Sequence, residues 1–309
     1  MPGAFPAAPP VLTGDSLAIS RFLQDPTRLQ RRLRTFRELR FVSDQLLTGR
    51  FRSQGGAVLY EMSEPFVSDR AVTAVSAGSE YPYANLGTGT AGVAAIAKWG
   101  QKVLLTDEEI ARNAYAGAAV DRSLQKVVNS VIKQVDLIAM SAIGAAITAT
   151  AGTAGIWDTL SGAKPLQDIL QAVQAMEDLN LGYKADTLVL SPKAYTFLML
   201  NDAIAQLRKR ETTENPVYTG MIETVANLTV IKTPNLPVIT TAYVVDSTQL
   251  GGMADEMDGA PGYAVSDLAV QVKSVRREGQ DAWDLQGRRK TVPVVQEPGA
   301  GFEITGVVT

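Results

Sequence analysis

The longest continuous signal in the chain is an apolar stripe at helical spacing. Val120, Leu124, Val127, Val128, Val131, Val135, Ile138 and Ala142 recur at steps of three and four, and no proline falls between Thr106 and Ala146. The pattern predicts a helix of roughly forty residues, about 60 Å long, against ~11–12 residues for an ordinary one. Thr106 and Glu109 have the spacing of a capping box, in which each side chain accepts the other's orphan N–H. Asp107 and Glu108 follow where the helix dipole favours negative charge, while Arg122, Lys126 and Lys133 fall on the face expected to meet water. Such a rod suits a thin, plate-like body better than a compact globule.

The pattern changes on either side of this helix. From Gly55 to Leu105 the helical period is lost, and Ala57–Glu61, Phe66–Val67, Ala71–Val75 and Val103–Leu105 read as short extended segments between Pro65, Gly78, Pro82, Gly87, Gly89 and Gly92. A ribbon with so few large apolar groups cannot bury itself and needs something to lie on. After the helix the chain reads as mixed α/β. Pro165 suits the first turn of a helix with Leu166, Ile169, Leu170, Val173, Met176 and Leu179 inward, closed by Gly182. Thr187–Leu190 reads as a buried strand, and Ser191-Pro192 as an N-cap and first residue launching a helix to Leu200. Thr212–Gly220 reads as a polar loop, Leu228–Ile231 and Ala242–Val245 as strands, and Gly251–Gly262 as a glycine- and acid-rich loop. Leu268–Val275, Thr291–Val295 and Phe302–Val308 complete the chain as strands.

Composition narrows the chemistry. The 309 residues are 46% hydrophobic and 20% charged, enough for two globular domains. There is no cysteine and no histidine. The chain therefore lacks disulfides, thiolate or imidazole metal sites, Ser–His and Cys–His nucleophile pairs and the commonest general base. Charge is uneven: residues 1–53 carry nine arginines and a net +5, leaving −8 for the remainder. Arg28, Arg31, Arg32 and Arg34 lie on one stretch whose apolar partners Leu29, Leu33 and Phe36 would be buried. The cations face solvent, acidic neighbouring subunits or nucleic-acid phosphates, with nothing that specifies bases. The first ten residues are proline-broken and read as an extended tail rather than a secretory leader. Leu137–Trp157 is uncharged over a bilayer-spanning length, but its Gly, Ser and Thr content fits the end of the long helix and a small-residue loop.

Three motifs could carry chemistry. Gly87-Thr-Gly89-Thr-Ala-Gly92 spells a dinucleotide fingerprint, the basis for an alternative reading as a nicotinamide-binding enzyme. No buried strand precedes it and Asp107 belongs to a helix cap, so the expectation is a loop. Asp255, Glu256 and Asp258 lack the ligand alternation of a calcium loop and read as a solvated surface. Arg276-Arg277 and Arg288-Arg289-Lys290 flank Trp283 and read as turns between strands that could hold an anionic surface. Tyr60, Phe66, Tyr81, Tyr83 and Trp99 concentrate aromatic area in the ribbon, where an interface would use it.

Two stretches carry a family resemblance. Ala71-Val-Thr-Ala-Val-Ser-Ala-Gly-Ser-Glu-Tyr-Pro, then Ala97-Lys-Trp-Gly-Gln-Lys-Val-Leu-Leu-Thr and Asp107-Glu-Glu-Ile, resemble the extended loop and spine-helix start of tailed-phage major capsid proteins, the Hong Kong 97-type fold. Thr187-Leu-Val-Leu-Ser-Pro-Lys-Ala-Tyr is similar to that family's axial-domain strand and helix. The resemblance implies an α+β fold with a long spine helix, an extended β loop, a mixed α/β axial domain and peripheral β strands. It divides the chain into an N-terminal arm (1–53), an extended loop (54–105), the spine helix of a peripheral domain (106–154), an axial domain (155–262) and peripheral C-terminal strands (263–309).

On this resemblance the chain is a structural subunit, not an enzyme, with no cofactor and no metal. It would self-assemble into pentamers and hexamers of an icosahedral head around double-stranded DNA, built in the bacterial host cytoplasm. Partners would be scaffolding, portal and decoration proteins and non-specifically packaged DNA, with no membrane. Tyr60, Phe66, Arg70, Glu80, Tyr81, Tyr83, Lys98 and Trp99 are the expected contacts between subunits; Arg28, Arg31, Arg32 and Arg34 are the expected contacts to the inner face or nucleic acid. Residues 57–97 contain no lysine, which argues against covalent cross-linking from the loop tip. No long N-terminal scaffolding segment is visible, implying a separate scaffold, prior proteolysis or assembly without one. An encapsulin-like nanocompartment shell is the alternative within the same fold.

Overall fold

The computed structural model describes residues 41–53, 55–65, 67–85, 87–112, 116–159, 162–201, 204, 223–257, 261–265 and 269–309. The loop expected at Thr212–Gly220 lies outside them. The elements are β1 (Gly49–Arg52), β2 (Ala57–Met62), β3 (Thr90–Ala95), β4 (Ala97–Thr106), β5 (Thr150–Gly152), β6 (Thr187–Leu190), β7 (Thr224–Val225), β8 (Leu228–Lys232), β9 (Ala242–Val245), β10 (Gly251–Asp255), β11 (Ala264–Val265), β12 (Gln271–Arg277), β13 (Ala282–Val295) and β14 (Gly301–Thr305). The helices are α1 (Ser43–Leu46), α2 (Asp107–Arg112), α3 (Ala116–Ala146), α4 (Pro165–Glu177) and α5 (Pro192–Leu200). They fall into two compact units. One takes in Phe41, Ala97–Val135 and Asp255–Thr291, the other Val42–Ile96, Asp136–Ala254 and Val292–Thr309.

The first unit is an antiparallel sheet on a helix. β11, β12, β13 and β4 lie side by side, with β13 registered to β4 from Ala282↔Thr106 through Thr291↔Ala97. Of the expected forty-residue rod, the described residues form α2 and the 31-residue α3, and residues 113–115 lie outside the described set. At 1.5 Å per residue α3 is about 46 Å long. The capping box forms as expected: the Glu109 N–H donates to Thr106 Oγ1 at 3.2 Å and the Thr106 N–H to Glu109 Oε2 at 3.4 Å. Val120, Leu124, Val127, Val128, Val131 and Val135 are buried and Arg122, Lys126 and Lys133 exposed, as the periodicity requires. Gly287 of β13 lies so close to Val127 that a Cβ there would collide with its side chain at 2.5 Å, so the sheet sits directly on the helix.

Two sequence expectations fail in this unit, for one physical reason. Arg288–Lys290 is not a turn but the middle of the 14-residue β13, and Asp255 is not a solvated loop residue but the end of β10. Arg289 is fully buried, its Nε 3.0 Å from Asp255 Oδ1 and its Nη2 3.1 Å from Asp255 Oδ2, with its guanidinium over the Phe41 ring at 4.3 Å. A charge run in a strand alternates between faces, so the middle arginine turns inward while its neighbours turn out. At the other end of the sheet Arg276 grips Asp107 through two hydrogen bonds of 2.6 and 2.7 Å. Those bonds hold the Asp107 carboxyl below its ordinary range, with slight burial opposing them. A depressed carboxyl supplies stability above its unfolded pKa of about 4 and loses it as pH falls through the lower folded value. The melting difference between wild type and Arg276→Ala is therefore expected to be full at neutral pH and to vanish on acidification below that range. A difference that is constant with pH contradicts the pairing.

The second unit holds a mixed sheet in the order β5-β14-β9-β6-β8-β7, with β14–β5 and β6–β8 parallel and the other pairs antiparallel. β6 and β9 are buried along their whole length, and α4 packs on β14 and β9. Ser191 caps α5 through its Oγ, which accepts from the Ala194 N–H at 3.2 Å, with Pro192 next, as expected. The expected inward face of α4 is partly wrong. Ile169, Ala172 and Met176 are buried with Asp168, whereas Leu170 and Leu179 are exposed. Asp168 turns inward because it accepts from the Trp157 indole N–H at 2.8 Å and the Ala154 N–H at 3.0 Å. The helix also stops at Glu177, five residues before Gly182, with Asn180 in the left-handed region beyond it.

Near the start of this unit α1 has no capping side chain of its own. Asp136 of α3 supplies one, accepting from the Ser43 N–H, Ser43 Oγ and the Val42 N–H at 3.0, 2.8 and 3.3 Å. Burial pushes its carboxyl up against the pull of those bonds. Beyond Asp136 the buried positions of α3 are Ala139, Met140 and Ile143, while the expected Ile138 and Ala142 are only half-buried. Val120–Ala146 is long and apolar enough to cross a membrane, yet half of its most apolar stretch is buried inside the protein. The uncharged run beyond it is broken after Ala146 and continues into β5. Gly251–Asp255 is a fully buried strand rather than part of a loop; at Gly252 a Cβ would strike the Gly49 backbone, so its glycines mark a close crossing of two strands.

Candidate functional site

The ribbon stands out by what it does not bury. Among the described residues from Gly55 to Ile96, none is buried. β2 and β3 form a two-stranded antiparallel sheet in the register Ala57↔Ala95 through Met62↔Thr90, separate from both larger sheets. Such a pair is marginally stable at best in water unless something covers a face. Its two faces differ. Val58, Tyr60 and Met62 are half-buried with Gly92 and Ala94, whereas Ala57, Leu59, Glu61, Ala91, Val93 and Ala95 are open to solvent. Leu59 and Val93 sit directly opposite one another and are 74% and 70% exposed. Uncovered aliphatic pairs of this kind mark an interaction face.

The glycine fingerprint proves to be part of this hairpin. Gly89 precedes β3 and Gly92 lies within it, followed by more strand rather than a helix N-terminus, so there is no phosphate cradle. A Cβ on Gly92 would strike the Tyr60 ring at 2.8 Å and one on Gly89 the Met62 carbonyl at 2.5 Å, so both glycines serve close packing. The alternative reading as a dinucleotide-binding enzyme loses its structural basis.

Between the strands, the described residues among 63–89 carry no regular structure, and the extended segment expected at Ala71–Val75 is irregular. Polar contacts tie the loop to itself. Arg70 donates to the Tyr83 carbonyl at 3.4 Å, Tyr83 Oη lies 3.3 Å from Glu80 Oε1, and the Asn85 N–H donates to Asp69 Oδ1 at 3.0 Å. Arg70, Glu80 and Tyr83 are thus brought together, while Tyr81 points outward at 80% exposure. Tyr60 is half-buried over Gly92. Lys98 and Trp99 lie on opposite faces of β4. Lys98 is exposed, and Trp99 lines a small cleft with Ser130, Val131 and Gln134 of α3. Phe66 and the arm residues Arg28, Arg31, Arg32 and Arg34 lie outside the described residues. Aromatic content drew attention to Tyr60, Tyr81 and Tyr83 but passed over Leu59 and Val93. The alternation Ala57-Val-Leu-Tyr-Glu-Met was the signal that could have found the open face.

This combination of a long helix, a hairpin ribbon and two six-stranded sheets recurs in known proteins. The capsid of cyanophage P-SCSP1u is similar at a TM-score of 0.64 and 15% identity, over 87% of this chain and 89% of that one. A virus-like particle from Pyrococcus furiosus is similar at 0.60 and 14%, over 90% and 98%. A phage-related protein from Bordetella bronchiseptica RB50 follows at 0.59 and 14%, over 92% and 97%. At these identities the likeness is one of fold, the Hong Kong 97-type capsid fold. No curated protein matches the chain by sequence. A family model described as phage capsid protein matches residues 89–304. That match covers more than half of the chain, from the ribbon through the spine helix to the last strand, and the chain belongs to the phage capsid protein family.

Proposed function

We propose that this shell protein builds pentamers and hexamers of an icosahedral phage head enclosing double-stranded DNA, assembled in the host cytoplasm. The observation that carries the reading is the open Leu59–Val93 face on a hairpin too small to be stable alone. In a shell the ribbon of one subunit lies over its neighbour, and many modest contacts repeated by symmetry add to a rigid wall. Arg28, Arg31, Arg32 and Arg34 of the arm are the residues proposed to meet the inner face or packaged phosphates, through salt-sensitive contacts. Scaffolding, portal and decoration proteins are the further partners proposed. The division into arm, extended loop, spine helix, axial domain and peripheral strands is carried from the resemblance.

The likeness to a virus-like particle supports a second reading, a nanocompartment shell with enzyme cargo. Both readings are tested by expressing the chain in bacteria with its cognate scaffold where one exists, then isolating particles for electron microscopy and content analysis. Closed shells that take up double-stranded DNA support the head; shells filled with a specific enzyme support the compartment. A stable 33.0 kDa monomer under every condition refutes both.

A further inference from the structure

Of the three tryptophans, Trp157 and Trp283 are 2% and 6% exposed, whereas Trp99 is only half-buried. With Gly100 and Gln101 of β4 and Ser130, Val131 and Gln134 of α3 it lines a cleft of about 300 Å³, at the small end of the range for a ligand pocket. The Ser130 hydroxyl donates to the Lys126 carbonyl at 2.8 Å, so the side-chain donors that remain along the cleft are the indole N–H and the two exposed carboxamides. None of the lining side chains is charged, although Lys126 and Lys133 stand exposed one turn away on α3. An aromatic surface with neutral donors fits a ligand whose backbone offers carbonyls and few N–H groups. A polyproline II turn has that chemistry, because its carbonyls make no internal bonds and each proline brings an apolar ring and no donor.

The chain carries such a segment at its start. Four of the first ten residues are proline, and Pro6-Ala-Ala-Pro9 has the three-residue spacing that places two rings on one face of that helix. The described residues begin at Phe41, whose ring lies 4.3 Å from the Arg289 guanidinium, and Arg289 is registered directly opposite Trp99. Residues 1–40 therefore join the fold at the row that carries Trp99. Within them, residues 21–40 hold seven arginines against Asp25 and Glu38 and are repelled by Lys126 and Lys133, whereas residues 1–14 hold no charged side chain. The thirty residues from Val11 to Arg40 reach about 100 Å when extended, ample for the tail to turn back. We infer that the Pro6–Pro10 segment of the chain's own tail docks in the Trp99 cleft as a polyproline II turn, closing the arginine-rich arm into a loop. A tether of this kind supplies an effective concentration on the order of 1 mM, so an intrinsic dissociation constant of about 0.1 mM keeps the tail docked about nine-tenths of the time. The dock goes beyond the shell reading and does not depend on it; it gives Trp99 an occupant within the chain in place of the contact between subunits expected of it.

The test is acrylamide quenching of Trp99 in unassembled full-length subunits, read as the difference from Trp99→Phe. Removing residues 2–10 is expected to raise the Trp99 quenching constant about threefold or more, because the ring loses a cover that is in place most of the time. Pro6→Ser with Pro9→Ser, which keeps the chain length, is expected to do the same. A peptide of residues 1–12 added to the shortened chain is expected to restore protection, half of it at about 0.1 mM. Gln134→Arg alters an exposed helix position, so it is expected to melt as the unaltered chain does and to abolish protection by tail and peptide alike. Equal quenching with and without the tail overturns the inference. Protection that survives Gln134→Arg places the tail elsewhere and also overturns it. Protection that disappears when the unaltered chain is diluted tenfold assigns the cleft to the tail of a second copy and overturns the intrachain dock. None of these outcomes turns on whether shells form.

Discussion

Replacing Arg289 by alanine is expected to destabilise the subunit by about 3–5 kcal/mol, the usual result of stripping one partner from a buried ion pair. The guanidinium is fully enclosed, bonded through two nitrogens to Asp255 and stacked on Phe41. Removing it strips the largely buried Asp255 carboxylate of this ion pair and opens a cavity beside an aromatic ring. For a chain of this size that corresponds to a fall in melting temperature on the order of 5–10 °C, measured by calorimetry on unassembled subunits. Replacing both partners by apolar residues, Arg289→Met with Asp255→Leu, is expected to restore most of the loss, because the desolvation cost of both charges disappears together. A single variant that melts like wild type, or a double variant worse than the single, contradicts this account of the core.

A second large effect is expected at the ribbon, on assembly rather than stability. Leu59→Asp with Val93→Asp places two carboxylates where an apolar pair now faces solvent. The two like charges opposite one another weaken only the local hairpin, which is separate from both larger sheets, so the global melting of the isolated subunit should stay as in wild type. In a shell each copy forfeits about 3–6 kcal/mol of apolar burial and must in addition bury or repel two charges. Because every copy repeats the contact, the change is expected to abolish closed shells, as read by sedimentation velocity and negative-stain microscopy. Wild-type yields of shells from this variant refute the covering of that face.

What could be read from the sequence was local. The Thr106–Glu109 capping box, the Ser191–Pro192 helix start, the strand Thr187–Leu190 and the stripe from Val120 to Val135 each depend on residues within a few positions of one another, and all form as expected. The failures are non-local. Arg289 looked like a turn residue because Asp255, 34 positions away, supplies the partner that lets a strand bury it. Asp168 looked like an exposed helix acid because its hydrogen-bond donors come from the Ala154–Trp157 segment. The glycine fingerprint matched letter for letter, and only the strand pairing of Gly92 with Tyr60 revealed a hairpin. The candidate face is half legible: the sparse apolar content of the ribbon implies a need for cover, but its open side is aliphatic and alternating, a weaker local signal than the aromatics beside it.

The central claim is that the hairpin is completed by another copy, and backbone hydrogen exchange tests it most directly. Amides of Ala57–Met62 and Thr90–Ala95 should exchange within the time of local opening in dissociated subunits, since little holds the pair shut. In intact shells the same amides should slow by about a hundredfold or more, as cover adds several kcal/mol to the cost of opening. Equal exchange in subunits and shells would mean that the ribbon stays bare after assembly, and would contradict the account.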